Sequence, residues 1–445
     1  MHLSTNKYLP TVQTNFIKTM KKTLLLALAL VLSLTIFAQS NMNYVAGEAL
    51  IRLENDGQLK AVLNDFQNFE GQATNLKIER QISKHMKIWL LSFNKNLPHQ
   101  RFLDALYQDP NILEVQSNHT VELRNTTPND NAYNQQWQYL NTGQSGGTPG
   151  ADLDAELAWD VTTGGLTPLG DTIVVAAIDE GFDITHPDFG DNLWINYNEI
   201  PNNGIDDDNN GFIDDYRGWN VHGNNDDVTT GGWHGTPVAG IIGAQGNNTT
   251  GVTGVNWNVK VMLIRLTTTV EADVLEAYDY TLQNRKLYNQ TNGAAGAFVV
   301  ATNASWGINQ GQPSQAPLWC AMYDTLGAYG ILNAGATANA NFDIDAVGDL
   351  PTACPSDYMV AVTNMNHNDQ KLTQAGYGTT TIDLGAFGEG TWTLNDGGGY
   401  AGFGGTSGAT PHVAGMIGLL YATPCISFAT LAKTNPDSAA FLAKQ

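Results

Sequence analysis

Three short segments of this chain place a carboxylate, an imidazole and a hydroxyl where chemistry becomes available. In VVAAIDEGFDITHPDF, Asp179 ends a continuous apolar run and Gly181 permits an immediate turn. A carboxylate closing a buried strand is largely desolvated and needs a hydrogen-bonded partner. An imidazole to orient is one such partner; a cap or turn role is the plainer alternative. Asp183 and Asp188, further along, read as loop and capping groups. In WHGTPVAGIIGA, His234 precedes a run of small residues in which Gly235 and Gly240 let other backbone approach closely. In FGGTSGATPHVAG, Ser407 stands before a helical pattern, GATPHVAGMIGLLYA. Unpaired backbone N–H groups at a helix start can hold a developing oxyanion, although a serine there is also an ordinary N-cap. His412 is no base for it. At about 100° per residue, the helix turns His412 roughly 140° away from Ser407. The base must come from elsewhere, and His234 is the candidate.

These groups need a scaffold. From about Asp171 the runs TIVVAAID, KVMLIRL, AFVVATNAS, GILNAGAT and YMVAVTNM are apolar along their whole length. Helical patterns such as EADVLEAYDYTLQNRKLY and APLWCAMYDTLGAYG lie between them. Strands buried on both faces and alternating with helices predict an α/β fold, a doubly wound, mostly parallel sheet with helices on both faces. Ligands of such sheets sit beyond the carboxyl ends of the strands, and Asp179 lies at one such end.

Residues 41–125 read as a smaller α/β unit: EALIRL, KIWLLSF and ILEVQSNHTVEL are strands, while DGQLKAVLNDFQNF and PHQRFLDALYQD are helices. The polar segment RNTTPNDNAYNQQ marks a boundary, leaving residues 126–445 as the larger domain. Before both lies MKKTLLLALALVLSLTIFAQS, in which Lys21 and Lys22 precede an apolar core from Leu24 to Ala38. That pattern predicts an export signal over residues 20–40, too short to span a bilayer comfortably. Residues 1–19 read as an upstream extension. No other stretch is long and apolar enough for a membrane helix, so the expectation is an extracellular protein with no membrane span after signal removal.

With 445 residues there is room for two or three domains. The 43 acids against 21 bases give a net charge of −22, which argues against nucleic acid as a partner because phosphate binding needs a basic face. Three cysteines form neither a disulfide framework nor a zinc spacing. One bridge is expected, Cys320 with Cys354, leaving Cys425 free.

In the order Asp179, His234, Ser407, the chain resembles the subtilisin-like serine proteases, the subtilases, whose triad runs Asp, His, Ser. AIDEGFDITHPDF, HGTPVAGIIGA and GGTSGATPHVAG carry the resemblance, which extends over roughly residues 130–425. It implies that Ser407 attacks a peptide carbonyl, His234 shuttles the proton and Asp179 orients the imidazole, with no cofactor for the chemistry. It implies an oxyanion donor in GILNAGATANAN, where Asn339 is the match and Asn333 and Asn341 are neighbouring competitors. It also implies that the backbone of Ser305, Trp306 and Gly307, in NASWG, lines the cleft for protein or peptide substrates. The front unit resembles the family's propeptide, a folding helper and intramolecular inhibitor removed by a cut between about Val121 and Trp137. Slow folding of a parallel sheet gives such a helper a physical purpose.

The departures are specific. Glu180 follows the aspartate where the family has Thr or Ser, GATAN replaces Ala-Ala-Gly-Asn, and Phe387 stands where Pro is frequent. The chain stops soon after Ser407, which raises truncation as an expectation.

NNGIDDDNNGFIDDYRGWN offers a further site. Asp206, Asp208, Asn210 and Asp214 alternate, Gly211 takes the sixth position, and Phe212 supplies a carbonyl, as in an EF-hand-like calcium loop. Arg217 occupies position twelve in place of the bidentate Glu, with Asp215 as a substitute. The plainer alternative is a solvated acidic turn. Two other functional classes stay open here: a non-enzymatic surface protein on the same scaffold, and an esterase. The latter prefers G-x-S-x-G, whereas residues 405–409 read G-T-S-G-A.

Overall fold

The computed structural model describes residues 44–120, 126–229, 232–267 and 270–445. The export-signal stretch and the start of the expected maturation segment lie outside them. Two compact units divide between residues 124 and 125.

The first unit is a four-stranded antiparallel sheet with two helices. Its elements are β1 (Tyr44–Leu53), α1 (Leu59–Asp65), β2 (Lys77–Ser83), β3 (Ile88–Ser92), α2 (His99–Tyr107) and β4 (Ile112–His119), with strand order β2-β3-β1-β4. Ile51, Leu53, Val62, Leu91, Phe102 and Leu106 form its core. β2, KIERQIS, was not anticipated. It is an edge strand that is almost wholly exposed, so no apolar alternation marks it.

The second unit carries seven parallel strands: β5 (Ile173–Asp179), β6 (Trp219–Asn220), β7 (Lys260–Arg265), β8 (Phe298–Ala304), β9 (Leu332–Ala336), β10 (Met359–Met365) and β11 (Leu384–Phe387). Their spatial order is β11-β10-β9-β8-β5-β7-β6, and every pairing is parallel. The expected doubly wound α/β fold is therefore the fold observed.

β5 shows why its sequence is apolar throughout. Ile173, Val175 and Ala177 face one core with α3 (Gly235–Gly243) and α6 (Thr406–Tyr421). Val174, Ala176 and Ile178 face a second core with α4 (Glu271–Thr291) and α5 (Pro317–Ala328). Burial of Ile173, Val174, Val175 and Ile178 contributes roughly 1.5–3 kcal/mol each. The chain passes from β5 to β7 on one side and then to β8 on the other, so the topological switch lies at β5. The crevice of a doubly wound sheet opens at such a switch, outside the carboxyl ends of the strands. Asp179 is the last residue of β5. Cys320 on α5 and Cys354 are joined, with their Cα atoms 5.1 Å apart, and Cys425 is free and exposed.

Candidate active site

At the end of β5, the Asp179 carboxylate is 2% exposed and needs partners. It finds them in the His234 ring, whose Nδ1 lies 2.9 Å from Oδ1 and 3.1 Å from Oδ2, and in the Glu180 backbone N–H, 2.8 Å from Oδ1. A carboxylate on Nδ1 fixes the proton there and leaves Nε2 as the basic atom. His234 is the residue just before α3. Small residues make that placement close: a Cβ on Gly235 would lie 2.3 Å from the Gly181 carbonyl oxygen.

Ser407 arrives on α6, which opens at Gly405 with φ +83, a backbone conformation that glycine adopts freely. The Phe403 ring, four residues earlier, stands 5.2 Å from the His234 ring. The Ser407 hydroxyl donates to the Ser305 carbonyl, 3.1 Å away. Among the described residues no hydrogen bond joins Ser407 Oγ to the imidazole. Such bonds frequently tighten only once substrate is bound.

Two residues to which the sequence analysis gave no role, Pro411 and Asn303, act with Ser305 at the Ser407 carbonyl. Pro411 lies inside α6 and has no N–H, so the Ser407 carbonyl lacks its helical donor. The Ser305 hydroxyl fills that gap at 3.1 Å and itself accepts from Asn303 Nδ2 at 2.9 Å. A proline four positions after the serine was the available signal. Trp306 turns inward, its indole N–H donating to the Ile178 carbonyl at 2.7 Å. Gly307 is exposed, and a Cβ there would meet the Leu350 carbonyl oxygen at 2.1 Å.

The three asparagines separate cleanly. Asn333 is buried in the sheet, accepting from Thr302 and donating to the Ile331 and Tyr358 carbonyls. Asn339 lies beside the start of α6, where its Oδ1 accepts from the Thr406 N–H at 2.9 Å and the Thr406 hydroxyl at 3.1 Å. Its oxygen is thereby committed, and its Nδ2 donors are left for a ligand. Asn341 is exposed. His412 is fully buried with Nδ1 donating to the Gly408 carbonyl at 2.8 Å. Burial pushes that imidazole down to about 4, so it is a neutral packing group. Asp183 and Asp188 serve loops: Asp183 accepts from Thr185 and Gly397, Asp188 from Asn248 and Val252.

Residues 170–435 match the family described as the subtilase family. The chain belongs to the subtilase family. It is 29% identical over 337 residues to an extracellular protease of Xanthomonas campestris, covering 72% of this chain and 54% of that protein. Subtilisin-like protease 1 of Plasmodium berghei is 29% identical over 273 residues, covering 56% of this chain and 43% of that one. A solved protease of Pseudoalteromonas arctica is 24% identical at a TM-score of 0.48, covering 72% of this chain and all (100%) of that chain. The chain spans about half the length of these curated relatives.

Glu180, the residue after Asp179, also reaches His234. Its Oε1 accepts the His234 backbone N–H at 3.2 Å, and a Cβ on Gly232 would lie 1.9 Å from that oxygen, so a side chain there would displace the carboxylate. Burial opposes charge on the His234 ring, but the Asp179 hydrogen bond and the charges of Asp179 and Glu180 outweigh it and raise the imidazole above its ordinary 6.5.

The acidic loop is rearranged relative to the EF-hand-like reading. Carboxylate oxygens of Glu199, Asp206 and Asp208 lie within 4.8 Å of one another. Glu199 was missed because it lies outside the alternating run. Its Oε1 accepts from the Asp207 and Asp208 N–H groups (2.8 and 3.2 Å), and its Oε2 from that of Asp214 (3.1 Å). The Asp214 carboxylate, expected as a ligand, instead accepts the Asn203 and Gly204 N–H groups, both at 2.9 Å. The Asn210 amide oxygen accepts from the Phe212 N–H, its Nδ2 donates to Asp215, and the Phe212 ring is buried against Trp219 and Tyr280. Burial pushes the Asp215 carboxyl up to about 7 and raises those of Glu199 and Asp208.

Proposed function

We propose that this subtilase is a secreted serine endopeptidase made as a zymogen. The observation that carries the reading is the Asp179–His234 hydrogen bond at 2.9 Å, in a cavity also lined by Ser305, the residue whose hydroxyl holds the Ser407 carbonyl. Ser407 Oγ attacks the scissile carbonyl while His234 Nε2 takes its proton. The tetrahedral oxyanion is received by the Asn339 side-chain amide and the Ser407 backbone N–H. His234 then protonates the leaving amine, an acyl-enzyme forms on Ser407, and water releases it by the same steps in reverse. Asp179 keeps the proton on Nδ1 and stabilises the imidazolium. The substrate lies as an extended strand along Ser305–Gly307. The front unit acts as propeptide and inhibitor, and residues 20–40 direct export.

A serine-directed fluorophosphonate tests the reading. It is expected to form one adduct, mapped to Ser407 by mass spectrometry, on protein that also hydrolyses casein. Casein cleavage without any adduct on Ser407 overturns the mechanism.

His234 must be neutral to act as base, so its raised pKa places the acid limb of kcat/KM above about pH 6.5. Removing one neighbouring negative charge makes the imidazolium less stable. Glu180→Gln therefore moves that limb to lower pH. An unmoved limb shows that Glu180 has no electrostatic hold on the base.

Glu199, Asp206 and Asp208 fit a hard cation, because three carboxylates this close repel one another without one. Calcium bound there is structural, bracing the segment between Asp179 and His234. EGTA is expected to lower Tm and added calcium to restore it. An unchanged Tm removes calcium from the account.

A further inference from the structure

Two wells flank the segment Ser305–Gly307. One is lined by Asp179, Glu180, His234, Trp306, Glu271 and Val274, among others. The other is lined by Ser305, Gly307, Ala338, Asn339, Asp349 and Thr406, among others. Asn339 is the oxyanion donor of the proposed reaction, and Thr406 immediately precedes the nucleophile. A residue whose carbonyl is presented to Ser407 thus places its side chain in this second well. The preceding side chain of an extended peptide points to the opposite side, toward the first well.

Asp349 is the unexplained member of the second well. It is 1% exposed, and no Lys or Arg lines the cavity with it. Among the described residues no ion pair reaches it. Backbone pairing fixes its place: Asp349 and Leu350 form a two-residue strand set antiparallel to Ile308–Asn309, with Asn309 opposite Asp349. Its carboxylate accepts the Ala338 N–H at 3.1 Å and the Thr352 hydroxyl at 2.8 Å, both on Oδ2. A neutral amide oxygen accepts those two bonds equally well, so the charge is surplus to the structural task. Burial pushes the carboxyl up to about 6, because a desolvated carboxylate without a counter-ion is unfavourable. A cation entering the well relieves that penalty.

We propose that Asp349 makes this site select a lysine or arginine side chain on the residue whose carbonyl Ser407 attacks. The inference rests on the protease reading above and adds its substrate class.

Fluorogenic peptides identical except at that residue decide the matter, with Lys, Arg, norleucine or Glu in place. Norleucine matches the lysine chain without its charge. Wild type is expected to favour Lys or Arg over norleucine by about tenfold or more in kcat/KM, and to reject Glu. In Asp349→Asn the ratio falls toward one. The ratio is internal to one preparation, so any misfolded fraction cancels; if Asp349→Asn does not fold at all, the wild-type ratio decides alone. Equal cleavage of Lys and norleucine peptides by wild type, or a ratio unmoved in Asp349→Asn, overturns the inference. Protein that labels at Ser407 and cuts casein without cationic preference overturns this inference alone. Protein that neither labels nor cuts any peptide overturns the underlying reading with it.

Discussion

Ser407→Ala is expected to lose casein hydrolysis and fluorophosphonate labelling together, with kcat falling by about 10⁶-fold, the scale of the corresponding loss in subtilisin. The hydroxyl makes one bond that matters to the folded chain, to the Ser305 carbonyl, and the side chain it leaves behind is small. The Ser305–Ser407 link that seats the helix start runs through the Ser407 backbone carbonyl and survives the substitution. Tm is therefore expected to stay close to wild type, which separates lost chemistry from lost fold. If maturation is the enzyme's own act, the variant also accumulates as the uncut chain, with the front unit still attached. Wild-type levels of proteolysis by Ser407→Ala would remove the serine from the mechanism.

Asp179→Asn is expected to cost about 10⁴ in kcat, less than the loss of the nucleophile. Both carboxylate oxygens stand within 3.1 Å of His234 Nδ1, and Oδ1 also accepts the Glu180 N–H. An amide has only one acceptor oxygen for these two donors. If that oxygen stays with Glu180, the amide N–H₂ faces Nδ1 and holds the imidazole in the wrong tautomer. If it turns to Nδ1, the Glu180 N–H loses its partner and the imidazolium still lacks a counter-charge. Steady-state kinetics on one peptide substrate measures the loss. A drop of less than about tenfold means that Asp179 is a strand-end cap and not the orienting acid.

Much of the architecture was legible because it follows from local rules. Strands buried on both faces must be apolar along their whole length, which exposed the parallel sheet; an exposed edge strand such as β2 carries no such mark. The rotation of a helix per residue is enough to separate His412 from Ser407. The acidic loop was less legible. A carboxylate's direction depends on which backbone N–H groups lie nearby, so Asp214 turned to Asn203 and Gly204, while Glu199 entered from outside the motif.

The sequence by itself determined the α/β class and the placing of Asp179, His234 and Ser407 at element ends, because burial patterns and caps are set within a few neighbouring residues. It also determined the subtilase resemblance. Only the tertiary structure decided which groups meet: His234 with Asp179, Asn339 rather than Asn333 beside the start of α6, Ser305 under the Ser407 carbonyl, and Asp349 in the well beside them. Those encounters join residues tens to hundreds of positions apart. Packing of the whole domain fixes them, and no local period in the chain records them.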